Sequence, residues 1–290
     1  MVPTRCKTPL RYPGGKSRAT GKMFEYLPRM DTIKQYNEGF LGGGSVALAF
    51  SRQYPDIPVW VNDLYVPLFN FWKVLKTNGE QLADLLVTYK TSAPTEESSK
   101  ELFLQSKEVL NDFESSELEL AARFYIVNKC SFSGLTQSSS FSKSASVSNF
   151  NLNGIENLRF YPLLMKNWNI TNGCYSKLLS DDPNTFVYLD PPYDIKDSLY
   201  GNKGNMHKGF DHEEFAENCN KHSAPTMISY NNDNWVKDRF VEWYDYTFPL
   251  TYTMRSTGSY SEDQATRLEL LMCNYEVPRT PSVLNFLVDW

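Results

Sequence analysis

The sequence predicts an α/β fold, a doubly wound, Rossmann-like sheet interrupted by a mostly helical insert, and three observations carry that prediction. A strand pattern ending at Glu38 runs into Gly42-Gly43-Gly44 and then into a helix-like stretch from Ser45 to Ser51. From position 66 the apolar spacing is helical for about sixty residues. Strand patterning then returns at Thr185 to Leu189 and ends directly on Asp190-Pro191-Pro192-Tyr193.

In chain order, Gly14-Gly15 leads into an apolar-periodic stretch around Met23, Tyr26 and Leu27, which predicts a turn entering a helix. After the first strand, glycine loop and helix comes Val59-Trp60-Val61, a short strand ending at Asn62-Asp63. Strand, loop, helix and strand form the opening β-α-β of a doubly wound sheet. Helical spacing continues through Leu68, Phe71, Trp72 and Leu75, then Leu82, Leu85 and Leu86, then Leu118, Ala121, Ala122 and Tyr125. Ser131 to Ser148 is polar and Ser-rich around Phe132 and Phe141, and reads as a loop that orders on a partner. A polar loop follows at 194–209, and Asp211 with Glu214 three positions on marks the start of a helix. Further strands are expected at 226–230, 246–248 and 268–273, and no internal repeat is present.

The chain has 290 residues, 41% of them hydrophobic and 14% aromatic, an ordinary core-forming composition that needs no disulfide or metal for stability. Its five cysteines, Cys6, Cys130, Cys174, Cys219 and Cys273, are scattered and form no Cys-x-x-Cys pair, so they read as buried thiols in a reducing cytoplasm. His207, His212 and His222 lack the spacing that puts two ligands on one helical face, and no metal is expected. The first ten residues lack the apolar segment of a signal peptide, and no apolar run approaches the ~20 residues that span a bilayer. The expectation is a soluble cytoplasmic protein without a membrane partner.

The net charge of −5 conceals an uneven distribution. Residues 1–30 hold seven Lys/Arg against one acid, and residues 123–177 hold six against one. The intervening 31–122 carries fourteen acids against seven bases, and 178–290 carries eighteen against nine. Two basic segments on an acidic background suit a protein that meets phosphate on one face.

Three motifs carry chemistry. In Glu38-Gly-Phe40-Leu-Gly42-Gly-Gly44-Ser45 the glycines allow close backbone approach to a ligand, and Asp63, at the end of the second strand, can accept from ribose hydroxyls. The spacing fits a dinucleotide or S-adenosylmethionine. Leu10-Arg11-Tyr12-Pro-Gly14-Gly15-Lys16-Ser17 imitates a phosphate-binding loop but has Leu10 where that motif needs its first glycine, which argues against a nucleoside triphosphatase. Lys16 is suited instead to pair with a carboxylate, and Tyr12 to pack on a ligand ring. Asp190-Pro191-Pro192-Tyr193 lies at the C-terminal end of a strand, where open α/β sheets place ligands. An exocyclic aromatic amine is a poor nucleophile because its lone pair is conjugated into the ring. Acceptors aimed at its hydrogens, the Asp190 carboxylate and the Pro191 carbonyl, favour a tetrahedral nitrogen and stabilise the positive charge that develops on it. Pro191 and Pro192 stiffen the loop in advance, and Tyr193 offers a π face for the base.

These motifs, with Asn62-Asp63, Asn128-Lys-Cys-Ser-Phe-Ser-Gly134, Phe186 to Tyr193, Ile228-Ser-Tyr230 and Arg267-Leu-Glu-Leu-Leu271, resemble in order and coverage the Dam-type DNA adenine-N6 methyltransferases (D12 class, group alpha). The resemblance implies a methyltransferase sheet formed by residues 1–65 and 154–290, with a target-recognition domain inserted at 66–153. It implies S-adenosylmethionine as methyl donor, no metal, and double-stranded DNA as partner in a prokaryotic cell or phage-infected host, the chain acting as a monomer or weak dimer. Tyr12, Lys16, Glu38, Phe40, Gly42, Gly44, Asp63 and Asp190 would form the cofactor site, with Lys16 near the donor's carboxylate and Asp63 on its ribose. Asp190 and Tyr193 would hold a flipped adenine, since N6 of a stacked base cannot reach a methyl donor in a closed pocket. Arg11, Asn128, Lys129, Gln137 and Lys143 would meet DNA, with Gln137 suited to adenine and Arg11 to guanine in a short site of the GATC kind. Gly134 to Phe141 lacks the arginine that GATC-reading members carry there. Cytosine-N4 or RNA adenine transfer, and a non-catalytic DNA-binding relative, are the competing readings; Asp rather than Ser before Pro-Pro favours adenine.

Overall fold

The computed structural model describes residues 7–12, 14–111, 114–134, 139–193, 209–249 and 268–278. Within these, seven strands, β1 (Gln35–Glu38), β2 (Val59–Asp63), β3 (Trp168–Asn172), β4 (Thr185–Leu189), β5 (Thr226–Asn231), β6 (Tyr244–Pro249) and β7 (Leu268–Cys273), form one sheet in the order β3-β2-β1-β4-β5-β7-β6. The first five are mutually parallel, and β7 runs antiparallel between β5 and β6. Each strand expected from the sequence is present. β4 is buried at every position, as its unbroken apolar run requires of a central parallel strand. β3 escapes the sequence reading because Trp-Asn-Ile-Thr-Asn sits at the sheet edge with mixed exposure, leaving no alternation to detect.

The helices are α1 (Thr20–Met23), α2 (Ser45–Gln53), α3 (Val66–Ser92), α4 (Glu96–Val109), α5 (Glu117–Cys130), α6 (Lys143–Ser148), α7 (Leu152–Glu156), α8 (Tyr161–Leu164), α9 (His212–Asn220) and α10 (Asn234–Arg239). Their starts are written in side-chain oxygens: Thr95 and Ser98 form a reciprocal capping box, and Ser116, Ser142, Asn151, Asp211 and Asp233 each cap the helix that follows. The helix expected around Met23 to Leu27 is shorter, since α1 tightens into a 3-10 turn at Phe24–Tyr26. The described parts of the Ser-rich stretch, 131–134 and 139–148, carry regular structure. Ser131 bridges Phe141, the Ser142 amide donates to Cys130 O (2.8 Å), and α6 follows. Serines that look like loop formers act here as caps and helix back-bonders, Ser146 Oγ donating to Lys143 O and Ser148 Oγ to Ser144 O.

One apolar core runs from the sheet into the helices, so the helical segment does not stand apart from the sheet. Tyr36 and Phe50 stack at 4.1 Å, Phe71 and Tyr125 at 5.9 Å, and the rings of Trp72 and Trp168 lie 5.9 Å apart. A second cluster on β4, β5 and β7 packs under α9 and α10 through Phe215, Val236 and Phe240. Cys130, Cys219 and Cys273 are buried as expected, Cys174 is exposed, and Cys6 lies outside the described residues. Cys174 departs from the expectation because it begins the surface turn at Tyr175–Leu178, where it accepts from Ser176 Oγ (3.0 Å). No helix among the described residues is long and apolar enough to cross a membrane.

Gly44 ties the glycine loop to α3. It sits at φ +67°, and a Cβ there would lie 2.6 Å from the Trp72 ring, whose Nε1 donates to Gly42 O at 3.0 Å. Gly44→Ala combines left-handed strain with a collision against a fully buried indole, and is expected to cost about 3 kcal/mol in chemical denaturation. A loss below about 0.5 kcal/mol would show that the loop yields freely.

Candidate active site

Strand order reverses between β1 and β4, and in an open parallel sheet such a switch point leaves a crevice at the strands' C-terminal ends. Glu38 ends β1, Asp63 ends β2 and Asp190 follows β4, so three carboxylates converge there. The N-terminal segment adds Tyr12 and Lys16 from far along the chain.

Lys16 is 2% exposed, and its Nζ donates to Asp190 Oδ2 at 2.8 Å, to Asp190 Oδ1 at 2.9 Å and to Gly14 O at 3.0 Å. Glu269 Oε1 on β7 lies 3.4 Å from the same ammonium and accepts from Tyr193 Oη at 2.5 Å. Lys16 also stands over the Tyr193 ring, 4.9 Å from its centroid. Asp190, 22% exposed, accepts in addition from Ser229 Oγ at 2.8 Å. Burial pushes the Asp190 carboxyl up, Lys16 pulls it back down, and Glu269 pushes it up again. The structure thus pairs Lys16 with the protein carboxylates of Asp190 and Glu269.

Pro191 is buried and Pro192 half-buried, so the turn is rigidly seated, and the Tyr193 ring stacks on Tyr230 at 5.6 Å and 27°. Glu38 is buried and accepts from Tyr36 Oη at 2.6 Å; burial raises its pKa well above the usual carboxylate range, and nearby Asp190 and Asp63 add to the rise. Asp63 accepts from the backbone amides of Gly42 (2.8 Å) and Tyr65 (2.9 Å), which fixes the glycine loop to the end of β2. Gly42, at φ +49°, lies so close to the Tyr12 ring that a Cβ would fall 3.0 Å from it. Phe40 stacks on Tyr175 at 5.0 Å, with Phe210 and Phe215 edge-on, forming an aromatic wall beside the loop.

The residues expected to meet DNA separate into three groups. Arg11 is half-buried, and its Nη1 donates to Ser131 O (2.8 Å), linking the first motif to the residue after α5. In place of the expected DNA contact, Asn128 has a structural post: it is 0% exposed, accepts from the Arg11 amide (2.9 Å), and donates to Arg11 O (2.7 Å) and Gly134 O (3.0 Å). Lys129 lies over the Tyr125 ring at 5.4 Å, and burial, with a smaller contribution from Arg11, lowers its pKa to about 8. Lys143 is 71% exposed and paired with Glu96, while Gln137 lies outside the described residues.

Sequence reasoning assigned no role to Glu269, Ser229, Trp72 or Tyr230. Glu269 had a signal, a lone acid inside the apolar strand Leu268-Glu-Leu-Leu-Met-Cys273. Among the described residues no group of three His, Cys, Asp or Glu is placed to hold a metal ion.

The model of the D12 class N6 adenine-specific DNA methyltransferase family matches residues 12–256. The type II methyltransferase M.MjaIII of Methanocaldococcus jannaschii is 27% identical over 197 residues, 63% of this chain and 68% of its own length. The type II methyltransferase M1.LlaDCHI of Lactococcus lactis subsp. cremoris is 26% identical over 277 residues, 88% of this chain and 93% of its own. Among solved structures, the rRNA methyltransferase AviRa of Streptomyces viridochromogenes aligns with 93% of this chain and 91% of its own at 13% identity, with a TM-score of 0.36.

Burial also gives Asp63 a pH signature. Its pKa rises from 3.8 to about 6. Stability tied to its neutral form is therefore complete below the ordinary value and lost as pH rises through about 6. In thermal melts between about pH 4 and about pH 8, Asp63→Asn is expected to gain on the wild type as pH increases through that window. A Tm difference that is flat in pH would remove the assignment.

Proposed function

The chain belongs to the D12 class family of N6 adenine-specific DNA methyltransferases, and from that premise we propose that it methylates N6 of an adenine extruded from double-stranded DNA. The observation that carries the reading is Asp190, a partly exposed carboxylate at the switch point, held by Lys16 and Ser229 beside the Tyr193 ring.

S-adenosylmethionine, the methyl donor, supplies a methyl group on a cationic sulfonium. The residues present fit such a group: Asp190 is a partly exposed carboxylate at the crevice, where it can face a cationic sulfonium. Asp63 stands at the end of β2, where a ribose acceptor is needed, with Gly42 and Gly44 beside it and Tyr12 and Phe40 offering ring faces. Asp190 accepts from the N6 hydrogens together with the Pro191 carbonyl, which frees the nitrogen lone pair for attack and stabilises the charge formed there. As the new N–C bond forms and the S–C bond breaks, N6 must shed one proton. Burial makes Asp190 a stronger base than an exposed carboxylate, which suits it to receive that proton. Tyr193, stacked on Tyr230, presents its other face to the base.

Residues 66–153 are the proposed target-reading unit, with Arg11 tied to it through Ser131 O and with Lys129 close by. Lys143 contributes from the surface of α6, Gln137 is the proposed reader of adenine and Arg11 of guanine, in a short site of the GATC kind. Asn128 acts there indirectly, by holding Arg11 against Gly134.

Asp190→Ala is expected to reduce methyl transfer to DNA by about 1000-fold or more while cofactor affinity stays within a few-fold, measured by labelled-methyl incorporation and calorimetry. Full activity in that variant, or N4-methylcytosine as the sole product of the wild type by mass spectrometry, would overturn the reading. DNA affinity is expected to fall steeply between about 50 and about 200 mM salt through loss of the phosphate term; a flat dependence would remove the two basic segments as the contact face.

A further inference from the structure

Resting on the reading of Asp190 and Tyr193 as the adenine site, we propose that Glu269 is a positioning residue for methyl transfer, fixing the Tyr193 ring through its hydroxyl and setting the charge balance at Asp190 through Lys16. The geometry is specific. Glu269 is 1% exposed on β7, opposite Asn231 of β5, and its Oε1 both accepts from Tyr193 Oη at 2.5 Å and stands 3.4 Å from Lys16 Nζ. Lys16 in turn contacts both oxygens of Asp190.

Folding alone gives little reason for this arrangement. A buried carboxylate in an otherwise apolar strand carries a desolvation cost that an apolar side chain would avoid, and buried ion pairs are often neutral or unfavourable to stability. Lys16 divides its contacts between the carboxylates of Asp190 and Glu269. This division prevents Lys16 from neutralising Asp190 alone, which keeps Asp190 a good acceptor. The hydroxyl bond restricts rotation of the Tyr193 ring, whose plane must match the adenine, and a misplacement of about 1 Å at a reacting centre can cost on the order of 100-fold in rate.

Among the described residues, the groups that face Asp190 are Lys16 from the N-terminal segment, Glu38 from β1, Tyr188 from β4, Ser229 and Tyr230 from β5, and Glu269 from β7. Glu269 raises the Asp190 pKa, so removing its charge lowers that pKa and lets Asp190 stay ionised at more acidic pH.

The test uses the full chain with unmethylated duplex DNA and S-adenosylmethionine, comparing wild type, Glu269→Gln, Tyr193→Phe and the double variant. Glu269→Gln is expected to lower kcat ~10- to 100-fold with cofactor affinity within about threefold, and to move the acid limb of kcat to lower pH. Tyr193→Phe keeps the ring and is expected to lower kcat without moving that limb. The double variant should lose less than the product of the two single losses, because both substitutions cut the same link. Wild-type kcat and an unmoved acid limb in Glu269→Gln overturn the proposal, as does wild-type kcat in Tyr193→Phe, a variant unlike Glu269→Gln in that it leaves the buried charges in place. Absence of adenine methylation by the wild type would instead defeat the functional reading on which the inference rests.

Discussion

The buried ammonium of Lys16 is the interaction on which the site depends. A cation with 2% exposure persists only where its charge is matched, and the match comes from Asp190 after β4 and Glu269 on β7. These residues come from three distant parts of the chain, so forming the pair requires the N-terminal segment, the centre of the sheet and the antiparallel strand β7 to be assembled together. What they assemble is a crevice at the switch point between β1 and β4, lined by carboxyl groups and walled by aromatic rings. That environment suits a reaction in which a cationic donor transfers its methyl group to a neutral amine.

The glycine loop carries a second dependence. Gly42 O accepts from Trp72 Nε1 and Gly44 leaves room for the same indole, so the loop that frames the ligand crevice is braced by the first half of α3. Next to Trp72 on α3, Phe71 stacks on Tyr125 and joins that helix to α5, which carries Asn128 and Lys129. Asn128 then clamps the Arg11 backbone against Gly134. A continuous packed path therefore connects the glycine loop with Gly134, and the helices of the segment at 66–153 share a core with the sheet.

Much of this was legible in sequence because it is encoded locally. Strand patterning at β1, β2, β4, β5 and β7, glycines after β1 and cap residues such as Asp211 each act through near neighbours, and the structure has elements at those places. Edge strand β3 was hidden because half-exposed strands carry little hydrophobic pattern. The described serines of 131–148 show why that stretch is hard to read, since the same hydroxyls that favour loops also cap and back-bond helices.

By itself the sequence determined the α/β class and the order of motifs, and it set Asp190-Pro191-Pro192-Tyr193 directly after a strand, where residue type suffices to suggest an acceptor on a stiff turn. Tertiary structure alone decided which charges face one another. Glu269 and Lys16 are separated by most of the chain, and whether an acid in an apolar strand meets solvent, a lysine or a tyrosine depends on the reversed course of β7 beside β5. Asn128 shows the same division: its side-chain chemistry was evident, but only burial decided that its amide bonds to the protein's own backbone.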